Sequence, residues 1–195
     1  MPASGLTVPV LLGSMRPERH ALRAGRMVVQ ALEAAGHEAI TVDPLELRLP
    51  LLERTYSEYK MGEAPAGLDG LAALYRRADG FIIVSGEYNH GIPPALKNLL
   101  DYFLAEYLWR PSGIVCYSSG QFGGVRAAMQ LRMTLGELGM SSIPTLLPIP
   151  RIASALDEAG RPQQEWLTAA LNDFLAEFDW YARALKQGRA GGTPY

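Results

Sequence analysis

The stretch FIIVSGEYNHGIPPALKN, residues 81–98, holds a strand pattern, a polar loop and the start of a helix pattern in that order. Its opening run is apolar and β-branched, which is typical of a buried strand. A carboxylate, a phenol, an amide, an imidazole, a glycine and two prolines follow before apolar residues recur at helical spacing. A strand that leads through a loop into a helix is the repeating unit of α/β proteins. The polar cluster therefore follows the carboxyl end of a strand.

The same alternation extends along almost the whole chain. Apolar runs predict strands at residues 7–12, 38–42, 81–85, 113–117 and 142–147. Apolar residues at steps of three and four predict helices near residues 22–35, 68–75, 96–103, 127–138 and 167–185. We predict an α/β fold with a doubly wound, five-stranded parallel sheet of order 2-1-3-4-5 and helices on both faces.

The length of 195 residues fits one domain, which we predict over residues 1–187. Residues 44–66 carry prolines and charges without strong periodicity, so we predict a long connection with at most a helical turn. The last eight residues, GRAGGTPY, predict a disordered tail over 188–195.

The composition excludes several classes of protein. The formal net charge is -2 and the basic residues are scattered, so we expect no nucleic-acid partner. No apolar run approaches the roughly 20 residues that span a bilayer, and the first residues do not resemble a secretory signal. We expect a cytoplasmic protein without a membrane partner. The three histidines lack ligand-like spacing, so we expect no metal site, and the single Cys116 lies in an apolar run typical of a buried side chain.

The predicted strand order locates the binding crevice. In doubly wound sheets, ligands bind outside the carboxyl ends of the strands where the order reverses, here between strands 1 and 3. The candidate loops are GSMRPERH at residues 13–20, GEYNHGIP at residues 86–93 and SSGQFGG at residues 118–124. These are also the most chemically unusual stretches of the sequence.

The first loop has the chemistry of an anion site. Ser14 supplies a hydroxyl and Arg16 or Arg19 a guanidinium at a helix N-terminus, where backbone N–H groups and the helix dipole favour a phosphate. Alternatively, Ser14 caps the turn and the arginines are solvated surface. The loop lacks the G-x-G-x-x-G spacing for a dinucleotide and the G-x-x-x-x-G-K-[ST] spacing of a P-loop.

The third loop contains three glycines in five residues, which let backbone N–H groups approach a flat polar ligand, although a flexible turn also remains open. Ser118 and Ser119 lack the flanking glycines of a hydrolase nucleophile elbow.

Three motifs in order resemble one family. GSMRP, EYNHGIPPALKN and SGQFGG are similar to the phosphate loop, the P-E-Y-N segment and the glycine loop of the NADPH-dependent FMN reductases, which have a flavodoxin-like fold and include quinone, azo-dye and chromate reductases. The resemblance implies FMN as cofactor, with NADPH or NADH as co-substrate. The cofactor-binding residues it implies are Ser14, Arg16, Arg19, His20, Ala21, Glu87, Tyr88, Asn89, Ile92, Ser118, Ser119, Gly120, Gly123 and Gly124.

Individual roles follow from the resemblance. Ser14 and Arg16 would bind the phosphate, and Tyr88 and Ile92 would contact the flavin ring. Charge on the reduced ring would meet N–H groups of the helix end near Gly123 and Gly124. For Glu87, ligand contact and a hydrogen bond that ties the loop both remain open.

The sequence also departs from the family pattern. Gly86 stands where a proline is usual, and Gly91 stands where a serine is usual. The segment Arg19-His20-Ala21 lacks a hydroxyl that the phosphate loop often has. We therefore expect a more mobile second loop and a weaker phosphate site.

The implied activity is hydride transfer from NAD(P)H to FMN and then to a small-molecule electron acceptor in a ping-pong cycle, without a catalytic side chain. Apolar residues around the final helix, including Trp166 and Trp180, predict a homodimer or homotetramer. Two alternatives remain: an FMN-binding electron carrier or regulatory protein without NAD(P)H turnover, and a scaffold that has lost the flavin. The near-neutral charge disfavours a dedicated electron carrier.

Overall fold

The computed structural model describes residues 5–195, so the first four residues of the predicted domain lie outside the described part. Five strands form one parallel sheet in the order β2-β1-β3-β4-β5, which confirms the predicted flavodoxin-like topology. The strands are β1 (Thr7–Leu12), β2 (Glu38–Val42), β3 (Phe81–Ser85), β4 (Pro111–Tyr117) and β5 (Ser141–Ile149).

Helices connect the strands as the periodicity predicted. They are α1 (Ala21–Ala34), α2 (Pro44–Leu47), α3 (Leu68–Arg77), α4 (Pro94–Asp101), α5 (Val125–Glu137), α6 (Ile152–Ala155) and α7 (Glu165–Ala190), with a short 3-10 helix at Tyr56–Glu58. Several boundaries differ from the predictions. Strand β4 begins at Pro111, two residues before its predicted start. Strand β5 continues to Ile149, through two prolines on a sheet edge that needs no N–H donor there. Helix α7 continues to Ala190, past the predicted start of the tail at residue 188.

The core lies on both faces of the sheet. Every residue of β3 is buried, because its side chains alternate between two apolar layers. Ile82 and Val84 face the layer that contains α1 and α7, whereas Phe81 and Ile83 face the layer that contains α3, α4 and α5. The loops after β1, β3 and β4 consequently meet at one edge of a sheet that is packed on both sides.

None of the helices between residues 5 and 195 combines the length and the apolar character needed to cross a membrane. The cytoplasmic location stays a prediction from the sequence.

Candidate active site

A cavity of about 510 Å³ opens at the carboxyl edge of the sheet, where the loops after β1, β3 and β4 come together. Its lining is mostly polar and charged. The lining residues are Ser14, Arg16, Pro17, Glu18, Arg19, His20, Gly86, Glu87, Tyr88, Tyr117, Ser118, Ser119 and Gly120. The geometry thus places all three predicted loops around one crevice.

The loops after β1 and β3 are joined by a hydrogen bond between two hydroxyls. Ser14 Oγ lies 2.6 Å from the phenol oxygen of Tyr88, and the same Oγ accepts the N–H of Arg16 at 3.3 Å. The guanidinium of Arg16 lies over the Tyr88 ring, 5.8 Å from its centroid. Ser14 is buried, whereas Arg16 is exposed, so the guanidinium can adjust to a ligand.

Arg19 is held by an ion pair rather than by solvent. Its guanidinium pairs with the carboxylate of Asp43, which follows β2, and the Arg19 side chain is only 9% exposed. The Arg19 Nε atom and the Nδ1 atom of His20 are buried and have no hydrogen-bond partner in the described part of the chain. Burial lowers the pKa of His20, and the nearby guanidinium of Arg23 lowers it further. Buried polar atoms normally have partners, so two orphaned nitrogen atoms beside a cavity indicate a ligand site.

The polar loop after β3 folds into a tight hairpin. Tyr88 and Gly91 exchange two backbone hydrogen bonds, of 3.1 and 2.9 Å, around Asn89 and His90. Both central residues have positive φ, 49° and 67°, as a type I′ turn requires. The turn projects Asn89 into solvent, which explains why this predicted ligand does not line the cavity.

Gly86 makes room for an aromatic ring. A Cβ at Gly86 would lie 3.1 Å from the Tyr117 ring and hydroxyl, so a larger residue would displace a side chain that lines the cavity. Burial raises the pKa of Tyr117, which keeps its phenol protonated at neutral pH. The glycine in place of the usual proline thus accompanies a close contact between β3 and β4.

The loop after β4 is tied to the loop after β3 by Glu87. The Glu87 carboxylate accepts the N–H groups of Arg126 and Ala127, at 3.1 and 3.2 Å, and lies 3.5 Å from the Arg126 guanidinium. The N–H of Val125 donates to the Phe122 carbonyl. The first three N–H groups of α5 therefore have partners within the protein, whereas contact between the reduced flavin and the backbone near Gly123 and Gly124 stays a prediction.

Gly124 precedes α5 with φ of 79°, and a Cβ there would lie 2.7 Å from the carbonyl oxygen of Tyr117. This approach requires glycine because any side chain would collide with backbone. Gly124 therefore serves the packing of the loop against β4.

The structure separates the predicted site residues into two groups. Nine of them line the cavity: Ser14, Arg16, Arg19, His20, Glu87, Tyr88, Ser118, Ser119 and Gly120. Five do not line it: Ala21, Asn89, Ile92, Gly123 and Gly124. Ala21 is buried in the core, and Ile92 packs against the layer that contains α3, α4 and α5.

Four lining residues were missed: Pro17, Glu18, Gly86 and Tyr117. The first three lie inside the quoted loops, and Tyr117 ends β4 directly before Ser118. Their positions at strand ends were the signal that could have found them.

A second cavity of about 440 Å³ adjoins the first and shares Arg16 and Tyr88 with it. The remaining lining is mostly apolar: Gly13, Met15, Leu49, Leu51, Pro93, Pro94, Ala95 and Asn98. Asn98 holds one wall, because its side chain accepts the Leu52 N–H and donates to the Pro50 carbonyl.

Comparisons with known proteins agree with the motifs. Residues 6–153 match the model of the NADPH-dependent FMN reductase family. An NAD(P)H-dependent FMN reductase of Schizosaccharomyces pombe is 43% identical over 76 residues, 38% of this chain and 37% of the relative. A quinone reductase of Pseudomonas putida is 29% identical over 94% of this chain and 97% of its own. A quinone reductase of Escherichia coli is 31% identical over 67% of this chain and 69% of its own.

Among solved structures, the FerB NAD(P)H:(acceptor) oxidoreductase of Paracoccus denitrificans superposes with a TM-score of 0.73 at 19% identity, over 91% of this chain and 98% of its own. That likeness supports the fold. The match over residues 6–153, about three quarters of the sequence, shows that the chain belongs to the NADPH-dependent FMN reductase family, whose members use FMN and NAD(P)H.

Proposed function

We propose that this reductase binds FMN in the polar cavity and catalyses a ping-pong reaction, in which NAD(P)H reduces the flavin and leaves before an oxidised acceptor takes its place. The candidate acceptors are a quinone, an azo compound, a metal oxyanion and free flavin. The observation that carries the proposal is the pair of buried, unpartnered nitrogen atoms on Arg19 and His20 at the edge of the cavity. Arg19 Nε is a donor without an acceptor, and His20 Nδ1 can donate when the ring is protonated; both lie at a helix N-terminus, which favours an anion.

The residues present fit FMN. Ser14, Arg16, Arg19 and His20 would hold the phosphate from the loop that begins α1. Tyr88 would offer a flat surface beside the ring, because its hydroxyl is fixed by Ser14 and its loop is stiffened by the hairpin and by Pro93 and Pro94.

Bound FMN would supply the redox chemistry, because it accepts a hydride and releases electrons singly or in pairs. The protein contributes the position of the cofactor. The Glu87 carboxylate holds the loop after β3 against α5, and Ser14 holds the same loop against the first one. The adjoining apolar cavity offers a surface for a flat acceptor next to Tyr88. No side chain needs to transfer a proton in this scheme.

The test is the visible spectrum of the purified protein after excess FMN has been removed, followed by anaerobic addition of NADPH and, separately, of NADH. We expect a two-band flavin spectrum that bleaches with one or both nucleotides. Bleaching followed by recovery on addition of a quinone, with no nucleotide left, would support the ping-pong order.

Two other outcomes would contradict parts of the proposal. A bound flavin that neither nucleotide bleaches would favour the electron carrier. A protein that takes up no flavin would favour the scaffold and remove the assignment of the cavity.

We also propose that the protein assembles as a homodimer or homotetramer. The supporting observation is a set of large apolar side chains on the surface: Leu104, Met129, Met133, Trp166 and Trp180, between 44% and 71% exposed. They lie on α5, α7 and the segment after α4, and a contiguous apolar patch formed by them would be typical of a protein–protein interface. Sedimentation velocity at micromolar concentration tests this, and a single monomeric species would contradict it.

A further inference from the structure

The charges around the phosphate end of the cavity largely cancel. Arg19 is paired with Asp43, and Arg16 shares the first loop with Glu18, which also lines the cavity. Across the cavity, Glu87 lies 3.5 Å from Arg126. A phosphate monoester carries up to two negative charges near neutral pH. Arg23 of α1, which also faces His20, lies 3.8 Å from the Glu158 carboxylate. The fixed side-chain charges therefore leave a dianion without matching positive charge.

His20 is the one lining residue that can add a positive charge near neutral pH. It stands at the start of α1, in the segment that lacks the hydroxyl of the family pattern. Its Nδ1 atom is buried without a partner, beside the equally unpartnered Nε of Arg19. A protonated imidazole carries a hydrogen on both ring nitrogens, so it can donate from Nδ1 and supply charge at the same time.

We propose that His20 is a proton-linked ligand of the FMN phosphate: the imidazole takes up one proton from solvent when the phosphate enters the cavity, and gives it back when the cofactor leaves. The inference rests on the proposed FMN site. It adds that pH regulates cofactor affinity. The proton comes from water or buffer, and no other bond forms or breaks.

The surroundings of His20 support this direction. In the free protein, burial and the Arg23 guanidinium both lower the pKa of His20, which keeps the ring neutral at pH 7. A phosphate dianion acts in the opposite sense, because an opposite charge favours the protonated ring. The titratable and charged groups that face this region are Arg16, Glu18 and Arg19 from its own loop, Arg23 from α1, Asp43 after β2, Glu87 and Tyr88 from the loop after β3, and Tyr117 from β4.

The experiment is isothermal titration of the flavin-free protein with FMN at pH 7.5, in two non-phosphate buffers that differ in ionisation enthalpy. The difference between the two apparent enthalpies counts the protons taken up. We expect between about 0.3 and 1 proton per FMN for the natural sequence, and a dissociation constant that rises by up to tenfold per pH unit between pH 7 and 8.5. Above pH 7 the phosphate is already a dianion, so its own titration contributes little.

Three comparisons isolate the imidazole. The variants His20→Gln and His20→Ser should bind FMN without proton uptake, and the serine restores the missing hydroxyl. Riboflavin, which lacks the phosphate, should bind the natural sequence without proton uptake. The matched control is His90→Asn, which removes an exposed histidine on the hairpin turn at a position with positive φ that asparagine tolerates. It should keep the full proton uptake.

The failures are distinguishable. Tight FMN binding without proton uptake, or uptake that persists in both His20 variants, overturns the proton-linked role and leaves the FMN site intact. Equal uptake with riboflavin assigns the proton to another part of the flavin site and also overturns it. Absence of FMN binding to the natural sequence removes the proposed function and this inference together.

Discussion

The histidines at the two ends of the sheet differ in their hydrogen-bond partners. At the amino end, His37 has a partner on each ring nitrogen: Nδ1 accepts the Leu6 N–H at 3.2 Å, and Nε2 lies 3.2 Å from the Asp179 carboxylate. At the carboxyl end, the Nδ1 atom of His20 is buried and has no partner among residues 5–195. Because an unpaired buried polar atom costs stability, its retention indicates a partner that comes from outside the chain.

The charged groups repeat this contrast. Before β3, the Asp79 carboxylate accepts the Thr7 N–H at 3.0 Å and the Lys186 ammonium at 2.9 Å, and it lies 3.5 Å from Arg189. Arg110, just before β4, donates to three backbone carbonyls. These contacts at the amino end thus join β1, β3 and α7 into one unit. At the carboxyl end, by contrast, nitrogen atoms of Arg19 and His20 have no partner among the described residues. Mutations at the amino end should change stability, and mutations at the carboxyl end should change ligand affinity.

The largest effect should come from Asp79→Ala. It leaves the Thr7 N–H without its acceptor and the mostly buried Arg189 without its counter-ion, which we expect to lower the free energy of unfolding by about 3 kcal/mol. Urea denaturation measures this loss. Glu158→Ala is the control, since Glu158 is 91% exposed and its pairing with Arg23 at 3.8 Å should contribute less than about 0.5 kcal/mol. Affinity of folded Asp79→Ala for FMN should not change, and a weaker site would break the division between the two ends.

Arg16→Ala, at the carboxyl end, should change ligand affinity without changing stability. It removes an exposed guanidinium from the cavity, so we expect unchanged stability and FMN affinity weakened about tenfold, or about 1.4 kcal/mol. Quenching of flavin fluorescence measures the affinity. Arg54→Ala, at an exposed arginine that lines neither cavity described above, is the matched control. Equal affinity of the two variants would remove Arg16 from the phosphate site.

Mutation of Glu87 should change both stability and FMN affinity, because its carboxylate lines the cavity and also accepts two N–H groups of α5. Glu87→Ala should cost about 1 kcal/mol of stability, as the loss of a helix cap does, and should also loosen FMN. Glu87→Gln keeps an acceptor oxygen and should recover most of the stability. Thermal unfolding of both variants, with and without FMN, separates the two contributions. Full stability in Glu87→Ala would show that the hydrogen bonds to α5 are dispensable.

The sequence predicted the architecture well because its signals are local. The strand β3 and the loop after it can be interpreted within 18 residues, and the parallel order follows from the alternation of elements. The partners inside the site were not predictable, because they join distant parts of the chain. Asp43 reaches Arg19 across 24 positions, and Glu87 reaches the start of α5 across 39 and 40. A motif identifies residues that gather at a strand end, but it does not show which of them form hydrogen bonds or ion pairs with one another.

The smallest expected effect is on the pH dependence of stability, and it tests the comparison between His37 and His20. Burial lowers the pKa of His37 and outweighs Asp179, which raises it. The neutral ring is therefore favoured in the folded protein, so His37 contributes stability that is complete above about pH 6.5 and is lost as the pH falls. We expect urea denaturation at pH 7.5 and 5.5 to show a smaller acid loss of stability in His37→Gln than in the natural sequence. Burial also lowers the pKa of His20, so its contribution to stability is likewise lost as the pH falls. Saturating FMN should reverse the pH dependence that His20 contributes and leave that of His37 unchanged. An acid loss at His37 that FMN abolishes would mean that the two ends of the sheet are coupled.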